Sequence, residues 1–222
     1  MIKAAIFDLD GLLINSEPLW ESAETNVFAR YNIEVTPEIC QKVKGFRVDE
    51  SVVHILKMFK NNDLNPDLIE RQIMDEVKEL ILTHGKALPG SSYILHFFES
   101  RKIPIALASS SKMEIIEAAL ERLGLRNNFS SIHSAEFETY GKPHPSIFLS
   151  AAESLGVHPS DCVVFEDSLN GLIAARAARM KVVAVPEKEF LQDKRFSIAH
   201  YILPNLLAFK EAHLDILNKS DI

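Results

Sequence analysis

The sequence has little cysteine, no excess of basic residues and no hydrophobic run long enough to cross a membrane. Only two cysteines, Cys40 and Cys162, occur in 222 residues, and they lie in different segments without metal-ligand spacing. We therefore expect two reduced structural thiols. The formal net charge of −7 argues against a nucleic-acid-binding face and favours a small-molecule ligand. Because no signal-like segment precedes the first predicted strand, we expect a cytoplasmic protein that does not bind membranes.

The first predicted strand ends in two aspartates. The apolar run from Ala4 to Phe7 is followed by Asp8, Asp10 and Gly11. Such a run is typical of a buried parallel strand, and open α/β sheets bind their ligands beyond the carboxyl ends of these strands. Two carboxylates this close repel each other unless a cation lies between them, and hard oxygen ligands suit Mg²⁺. The alternative is an aspartate pair that only caps the following helix.

The spacing of apolar residues divides the rest of the chain into two parts. Between about residues 15 and 84 the apolar positions recur at helical spacing, without a convincing strand. From residue 103 onwards strands alternate with helices, which predicts a parallel sheet between two helical layers. These strands are predicted at residues 103–108, 129–133, 162–165 and 182–185. We therefore expect a core of residues 1–14 and 88–222, and a helical insertion at 15–87 that acts as a lid.

Two later segments carry groups that could bind an anion. The serines Ser109–Ser111 follow the strand at 103–108 and precede a helix, where hydroxyls and free backbone N–H groups form an anion site. Lys142 lies between Gly141 and Pro143, on a rigid turn that suits a phosphate-binding lysine. Simple helix capping by the serines, and a solvated surface position for the lysine, are the alternatives.

A second acidic pair follows the strand at 162–165. Glu166 and Asp167 come directly after this apolar run, as Asp8 and Asp10 come after the first strand. Because the carboxyl ends of parallel strands meet at one edge of the sheet, the two pairs should converge. The sequence therefore predicts a metal site at that edge.

Four motifs in this order resemble those of the haloacid dehalogenase superfamily. They are Phe-Asp-Leu-Asp-Gly at 7–11, Ser109, Gly-Lys-Pro-His-Pro at 141–145, and Phe-Glu-Asp-Ser-Leu-Asn-Gly at 165–171. The chain is most similar to the branch of sugar-phosphate phosphatases and β-phosphoglucomutase-like proteins. Within that branch, the stretches at 45–50 and 185–196 resemble 2-deoxyglucose-6-phosphate and hexitol-phosphate phosphatases. The resemblance implies a Rossmann-like three-layer α/β/α core with a parallel sheet and an inserted helical cap of the C1 type.

The resemblance also implies catalytic roles. Asp8 would be the nucleophile that forms an aspartyl phosphate, and Asp10 the general acid and then the general base. Ser109, the backbone of Ser110, and Lys142 would hold the oxygens of the transferring phosphoryl group. Because family members that cleave other bonds lack the second aspartate, Asp10 argues for phosphate-ester chemistry.

The implied cofactor is Mg²⁺. Its ligands would be the carboxylates of Asp8 and Asp167 and the backbone carbonyl of Asp10. Glu166 would be a further ligand or would orient a bound water.

Substrate specificity is expected in the cap. The residues concerned are Glu17 and the stretch that resembles the family's substrate-facing loop, formed by Lys44, Gly45, Phe46 and Arg47. Arg47 would meet hydroxyls or a second charge on the substrate, and an ordinary loop with solvated basic residues is the alternative. Trp20 is expected in the cap core rather than against the sugar. The mutases of this branch have a histidine near that position. This chain has none there, which favours hydrolysis over phosphoryl return to the sugar.

The function that we expect is Mg²⁺-dependent hydrolysis of a small phosphorylated sugar or sugar alcohol. A phosphomutase, which would yield an isomer without net phosphate release, is the first alternative. A non-catalytic phosphosugar sensor or receiver is the second, although such a role would tolerate loss of Asp10. Because the acidic surface shows no long apolar seam, we expect a monomer.

Overall fold

A six-stranded sheet forms the centre of the computed structural model, which describes residues 1–61 and 63–219. The strands are β1 (Ala4–Phe7), β2 (Ile105–Ser109), β3 (Ser131–Ser134), β4 (Cys162–Glu166), β5 (Lys181–Ala184) and β6 (Tyr201–Ile202). Their order in the sheet is β3-β2-β1-β4-β5-β6, and all neighbouring strands are parallel. The predicted α/β class with a parallel sheet is confirmed.

Helices cover the sheet and fill the segment between β1 and β2. The α-helices of the described residues are α1 (Glu17–Ala29), α2 (Pro37–Val43), α3 (Val48–Met58), α4 (Pro66–His84), α5 (Ser91–Glu99), α6 (Met113–Leu123), α7 (Ser146–Ser154), α8 (Leu169–Ala177) and α9 (Glu211–Lys219). The first four lie where the sequence predicts a helical insertion, and we call them the cap helices. The division into core and cap domains stays a prediction.

Burial on both faces explains why β1 is apolar at every position. Ala5 and Phe7 belong to one apolar layer, and Ala4 and Ile6 belong to the other. All four side chains are fully buried, as expected of a central parallel strand. One layer includes residues of α5, α6, α9 and the cap helices, and the opposite layer includes residues of α7 and α8. The result is a three-layer α/β/α arrangement.

Local signals set several helix ends. The side chain of Asn65 accepts hydrogen bonds from the backbone N–H groups of Asp67 and Leu68, and Pro66 occupies the first turn of α4. This is the Asn-Pro start that the sequence predicts. Helix α6 ends at Gly124, whose φ of +67° suits glycine better than any other residue.

Other boundaries differ from the sequence-based expectation. The strand predicted at 129–133 is found at Ser131–Ser134, and the strand predicted at 103–108 begins at Ile105 and includes Ser109. The edge strand β6 and helix α9 were not predicted. Because β6 has two residues, it carries too little alternation to be read from sequence. Within the described residues, no helix combines the length and the apolar character needed to cross a membrane.

Strand register aligns the carboxyl ends of β1, β2 and β4, where the functional motifs lie. Phe7 pairs with Phe165 of β4 and with Leu107 of β2. The rings of Phe7 and Phe165 stack with their centroids 4.7 Å apart. As a consequence, the residues that follow these three strands emerge side by side at one edge of the sheet.

Candidate active site

A buried lysine joins two of the motifs. The Nζ atom of Lys142 lies 2.7 Å from Oδ1 of Asp8 and 2.7 Å from Oε1 of Glu166, and it donates to the carbonyl of Ala108 at 3.1 Å. All three charged side chains are buried. Burial alone would lower the pKa of Lys142, but the carboxylates of Asp8 and Glu166 raise it above its usual value. Lys142 is therefore a buried ammonium rather than a solvated surface residue.

Three carboxylates form a compact cluster beside this lysine. Oxygen atoms of Asp8, Glu166 and Asp167 all lie within 4.8 Å of one another. Burial raises the pKa of Asp8 well above its usual range, and burial raises that of Asp167 to about 6. A buried set of hard oxygen donors that disfavours its own ionisation is suited to a divalent cation such as Mg²⁺.

The three carboxylates differ in how they are held. Both oxygens of Glu166 have donors, because Oε1 meets Lys142 and Oε2 accepts from the backbone N–H and the hydroxyl of Ser168, at 2.9 and 3.0 Å. This fits Glu166 as a group that orients its neighbours better than as a direct ligand. The carboxylate of Asp10 is not part of the cluster.

Two glycines let the backbone approach these carboxylates. A Cβ atom on Gly11, whose φ is +70°, would lie 2.3 Å from Oδ2 of Asp167. A Cβ atom on Gly171 would lie 1.7 Å from Oε1 of Glu166. Any larger residue would displace the acidic groups, so the small residues of both motifs serve the geometry of the site.

The Asp10 carboxylate is held by four donors. Its Oδ1 accepts from the hydroxyl of Ser16 at 2.6 Å and from Nε1 of Trp20 at 3.1 Å. Its Oδ2 accepts from the hydroxyls of Ser111 at 2.7 Å and Ser109 at 3.3 Å. Trp20 packs against the apolar layer, as expected, and its indole also reaches the site. Sequence reasoning also missed Ser16, which carries no motif signal, and the contact made by Ser111.

The three consecutive serines have separate roles. The hydroxyl of Ser109 accepts from the backbone N–H of Ser111 at 3.0 Å, which fixes the turn after β2. The hydroxyl of Ser110 donates to the carbonyl of Gly45 in the cap at 2.9 Å. The serine turn therefore both borders the acidic cluster and contacts the cap.

The cap loop contributes a second lysine. Nζ of Lys44 lies 2.8 Å from Oδ2 of Asp167, 2.5 Å from Oε1 of Glu187 and 3.7 Å from Oε1 of Glu17. Burial opposes the charge of Lys44, but Asp167 and Glu17 raise its pKa above the usual value. Burial raises the pKa of Glu17 to about 8. The structure therefore brings two of the predicted cap residues, Glu17 and Lys44, to the acidic cluster.

Arg47, in contrast, does not line the cavity above the site. Its Nη1 donates to the carbonyls of Ala135 and Glu138 at 3.3 and 3.0 Å. Its Nη2 forms ion pairs with Asp49 and Glu50 at 3.2 and 3.1 Å. Arg47 therefore docks the cap on the core, and the expected contact of this residue with substrate has no support in its position.

A cavity of about 430 Å³ lies between the cap and the carboxyl edge of the sheet. Its core side is formed by Asp8, Asp10, Ser109, Ser110, Ser111, Lys142 and Asp167, and its cap side includes Glu17, Trp20, Glu21, Glu24, Cys40, Lys44, Gly45 and Phe46. A volume of this size is in the range of small-molecule sites. Of the site residues predicted from the sequence, all but Arg47 and Glu166 line the cavity.

Comparison with known proteins identifies the family. The model of the haloacid dehalogenase-like hydrolases matches residues 5–185, so the chain belongs to this family and the family prediction is confirmed. Hexitol phosphatase B of Escherichia coli strain K12 is 37% identical over 207 residues, which cover 92% of this chain and 93% of the relative.

Solved structures agree with this assignment. The β-phosphoglucomutase of Clostridium difficile superposes with a TM-score of 0.88 at 26% identity, covering 99% of this chain and 98% of the other. A D10N mutant of CbbY from Rhodobacter sphaeroides, in complex with xylulose-(1,5)bisphosphate, superposes with a TM-score of 0.87 at 25% identity, covering 96% and 99%. The fold is therefore that of β-phosphoglucomutase and its structural relatives.

Proposed function

We propose that the chain is a Mg²⁺-dependent phosphatase that hydrolyses small phosphorylated sugars or sugar alcohols. The observation that carries the proposal is the buried contact of Asp8 with Lys142, placed beside an Asp10 carboxylate that four donors hold at the edge of the same cavity. A nucleophile, a cation for the phosphoryl group and an acid–base group thus lie together. The phosphatase name of a relative that is 37% identical supports the same conclusion.

Asp8 is the proposed nucleophile. One of its carboxylate oxygens attacks phosphorus, the bond between phosphorus and the sugar oxygen breaks, and an aspartyl phosphate forms. Lys142 offsets the negative charge that gathers on the phosphoryl oxygens, and Ser109 and the backbone of Ser110 hold the same oxygens. Lys142 also keeps Asp8 oriented towards the cavity through the 2.7 Å contact.

Asp10 is the proposed acid and base. It gives its proton to the departing sugar oxygen, and in the second step it takes a proton from the water that attacks the aspartyl phosphate. The contacts from Ser16, Trp20 and Ser111 hold its carboxyl group at the cavity. Because proton transfer needs hydrogen-bond distance, this fixed position matters as much as the acidity of the group.

Mg²⁺ is the proposed cofactor. Asp8, Asp167 and the backbone carbonyl of Asp10 would hold the ion, with Glu166 orienting the ligands or a bound water. The bound ion would neutralise Asp8 and the phosphate, which otherwise repel each other. The buried carboxylate cluster and the close approach of Gly11 support this assignment.

A phosphomutase is the second candidate. The TM-score of 0.88 with a β-phosphoglucomutase favours it. In that reaction the aspartyl phosphate would be transferred to another sugar phosphate instead of to water. A cytoplasmic location and a monomeric state remain part of the proposal, as does the absence of nucleic-acid and membrane partners.

The test is phosphate release from a panel of phosphorylated compounds, with Mg²⁺ and with EDTA. The panel contains hexose and hexitol 6-phosphates, fructose 1-phosphate, phosphoglycolate, pseudouridine monophosphate and β-glucose 1-phosphate. Metal-dependent release concentrated on the sugar and hexitol phosphates is the expected result. Isomerisation of β-glucose 1-phosphate without phosphate release would show a mutase, and inactivity in both assays would overturn an enzymatic role.

A further inference from the structure

The cap side of the cavity is acidic. Glu17, Glu21, Glu24 and Glu38 line it, and we call these four residues the acidic cap wall. The first three recur every three or four residues on α1, so they project from one face of the helix. Glu38 comes from α2, which packs beside α1. The wall thus forms the cap side of the cavity, with Glu17 beside the acidic cluster.

Glu24 is the member of the wall that is hardest to explain by structure alone. Only 7% of its surface is exposed, and the mechanism proposed above does not use it. Among the described residues, the side chain that donates a hydrogen bond to its carboxyl group is the Cys40 thiol, which is a weak donor. Burial raises the pKa of Glu24 to about 7, and Glu21 adds to the effect. A buried carboxyl group that lacks strong donors is costly, so its position in a cavity wall points to a ligand that supplies them.

Basic residues are scarce in the cavity. Among the described residues that line it, only Lys44 and Lys142 are basic. Lys142 lies against Asp8 and Glu166, and Lys44 pairs with Asp167 and Glu187, at 2.5–2.8 Å. Lys44 also lies 3.7 Å from Glu17 of the acidic cap wall, whereas none of the ion pairs of the described residues joins either lysine to Glu21, Glu24 or Glu38. A second anionic group on a substrate would therefore meet mainly carboxylates on the cap side of the cavity.

We propose that the acidic cap wall, with Glu24 at its buried centre, selects phosphate esters of neutral polyhydroxylated alcohols and rejects substrates that carry a second anionic group. Vicinal hydroxyls donate well to carboxylate oxygens, and carboxylates accept from several donors at once. Glu24 is thus a specificity residue that contacts the leaving group rather than the phosphate. The inference rests on the proposed phosphatase function and narrows its substrate class.

The acidic cap wall also favours hydrolysis over the mutase reaction. A mutase that returns the phosphoryl group of Asp8 to a sugar monophosphate forms a sugar bisphosphate, which must bind with one phosphate at each end of the cavity. The complex of CbbY with xylulose-(1,5)bisphosphate shows that a protein of this fold can bind such a ligand. In this chain the acidic cap wall opposes the second phosphate.

The test compares three probes on one enzyme. They are sorbitol 6-phosphate, fructose 1,6-bisphosphate and 4-nitrophenyl phosphate, which has no polyol. We expect the unmodified enzyme to favour the hexitol monophosphate over the bisphosphate by about a hundredfold or more in kcat/KM, as polar sites do when a group is left unmatched. Equal kcat/KM for sorbitol 6-phosphate and fructose 1,6-bisphosphate would overturn the inference.

Variants of the wall test the role of Glu24. In Glu24→Gln, the ratio of kcat/KM for sorbitol 6-phosphate to that for 4-nitrophenyl phosphate should fall by about tenfold, mainly through KM. Glu24→Lys should lower the ratio of kcat/KM for sorbitol 6-phosphate to that for fructose 1,6-bisphosphate. If Glu24 had only a structural role, kcat/KM would change by the same factor for all three probes. That result would overturn the assignment of Glu24 as a specificity residue.

Two further variants complete the design. Glu79→Gln removes the same charge from an exposed site on α4 and should leave all ratios unchanged. Glu21→Gln, at a more exposed position on α1, should shift the ratios in the same direction as Glu24→Gln but less, and it keeps the test valid if Glu24→Gln does not fold. No release from any probe would overturn the proposed function and the inference together, whereas release with a preference for the bisphosphate would overturn the inference alone.

Discussion

The sheet edge and the cap loop hold their charged residues in different ways. At the sheet edge, Asp8, Lys142 and Glu166 are joined by contacts of 2.7 Å and are buried among strands whose register is fixed. In the cap loop, Lys44 and Arg47 are only three residues apart, yet one contacts the acidic cluster and the other docks on backbone carbonyls of the core. Strand register therefore positions the charged groups at the sheet edge, whereas the docking of the loop positions those of the cap.

Contacts between the two regions explain why their roles differ. The carbonyl of Gly45 accepts from Ser110, and the carbonyl of Lys44 accepts from Asn170, at 2.9 and 3.1 Å. A Cβ atom on Gly45, whose φ is +79°, would lie 2.9 Å from Oγ of Ser168. These two hydrogen bonds, each worth about 1 kcal/mol, join the loop to the serine turn and to the start of α8.

The largest effect is expected from Asp8→Asn, at the sheet edge. Because the amide cannot act as the nucleophile, we expect kcat to fall by about 10⁴-fold or more, measured as phosphate release. Asp75→Asn, which alters an exposed aspartate paired with Arg71 in the cap, is the matched control and should keep the original rate. A rate within tenfold of the original in Asp8→Asn would contradict the role of Asp8.

Asp10→Asn should have the next largest effect. Loss of the acid and base should lower kcat by about 10³-fold, because general acid–base catalysis contributes roughly that much. The aspartyl phosphate should persist, since the base that activates water is missing. Intact mass spectrometry after mixing with substrate would detect the added phosphoryl group. Turnover at the original rate, with no trapped intermediate, would assign the acid–base role elsewhere.

Lys44→Met tests whether the cap reaches the proposed metal site. The ammonium group lies 2.8 Å from Asp167 and would compete with a bound cation for that carboxylate. Without it, Mg²⁺ should bind about tenfold more tightly, a change of about 1.4 kcal/mol, measured by titration calorimetry. Lys42→Met, at an exposed position of α2, is the control. Unchanged Mg²⁺ binding in Lys44→Met would show that the two regions act independently, and weaker binding would show that Lys44 does not compete with the ion.

The smallest effect is expected from Ser110→Ala, which removes one bond between the regions. Loss of the 2.9 Å contact with Gly45 should raise KM by about threefold and leave kcat nearly unchanged, as the loss of one hydrogen bond predicts. Ser130→Ala, at an exposed position outside the site, should change neither value. A fall in kcat of tenfold or more would instead place the Ser110 hydroxyl at the phosphoryl group.

Much of the core could be predicted because its signals are local. Apolar runs bounded by Gly, Pro and acidic residues gave β1 and β4 within a residue of their observed positions. The short strand β6 was missed, since two residues of strand carry no usable period, and helix α9 was missed as well. The site followed from the fold, because parallel strands place their carboxyl ends at one edge.

The cap residues were harder to predict. Trp20 has the helical spacing of a core residue and does pack against the apolar layer, yet its Nε1 donates to Asp10. Arg47 lies in the expected loop but donates to a backbone carbonyl of the core. No sequence pattern marked Glu24 as a buried carboxyl group that lines the cavity. In each case the deciding contact is made with a residue on another element, and no local pattern encodes it.

The family, most of the strands and helices, and the groups at the sheet edge follow from the amino-acid sequence alone. These depend on short motifs and on periodicity, which neighbouring residues set. The three-dimensional structure was needed to show that Lys44 meets Asp167, that Trp20 holds Asp10 and that four glutamates of the cap helices line the cavity. Side chains between the cap helices and the sheet are positioned by helix docking, which depends on packing between segments far apart in sequence.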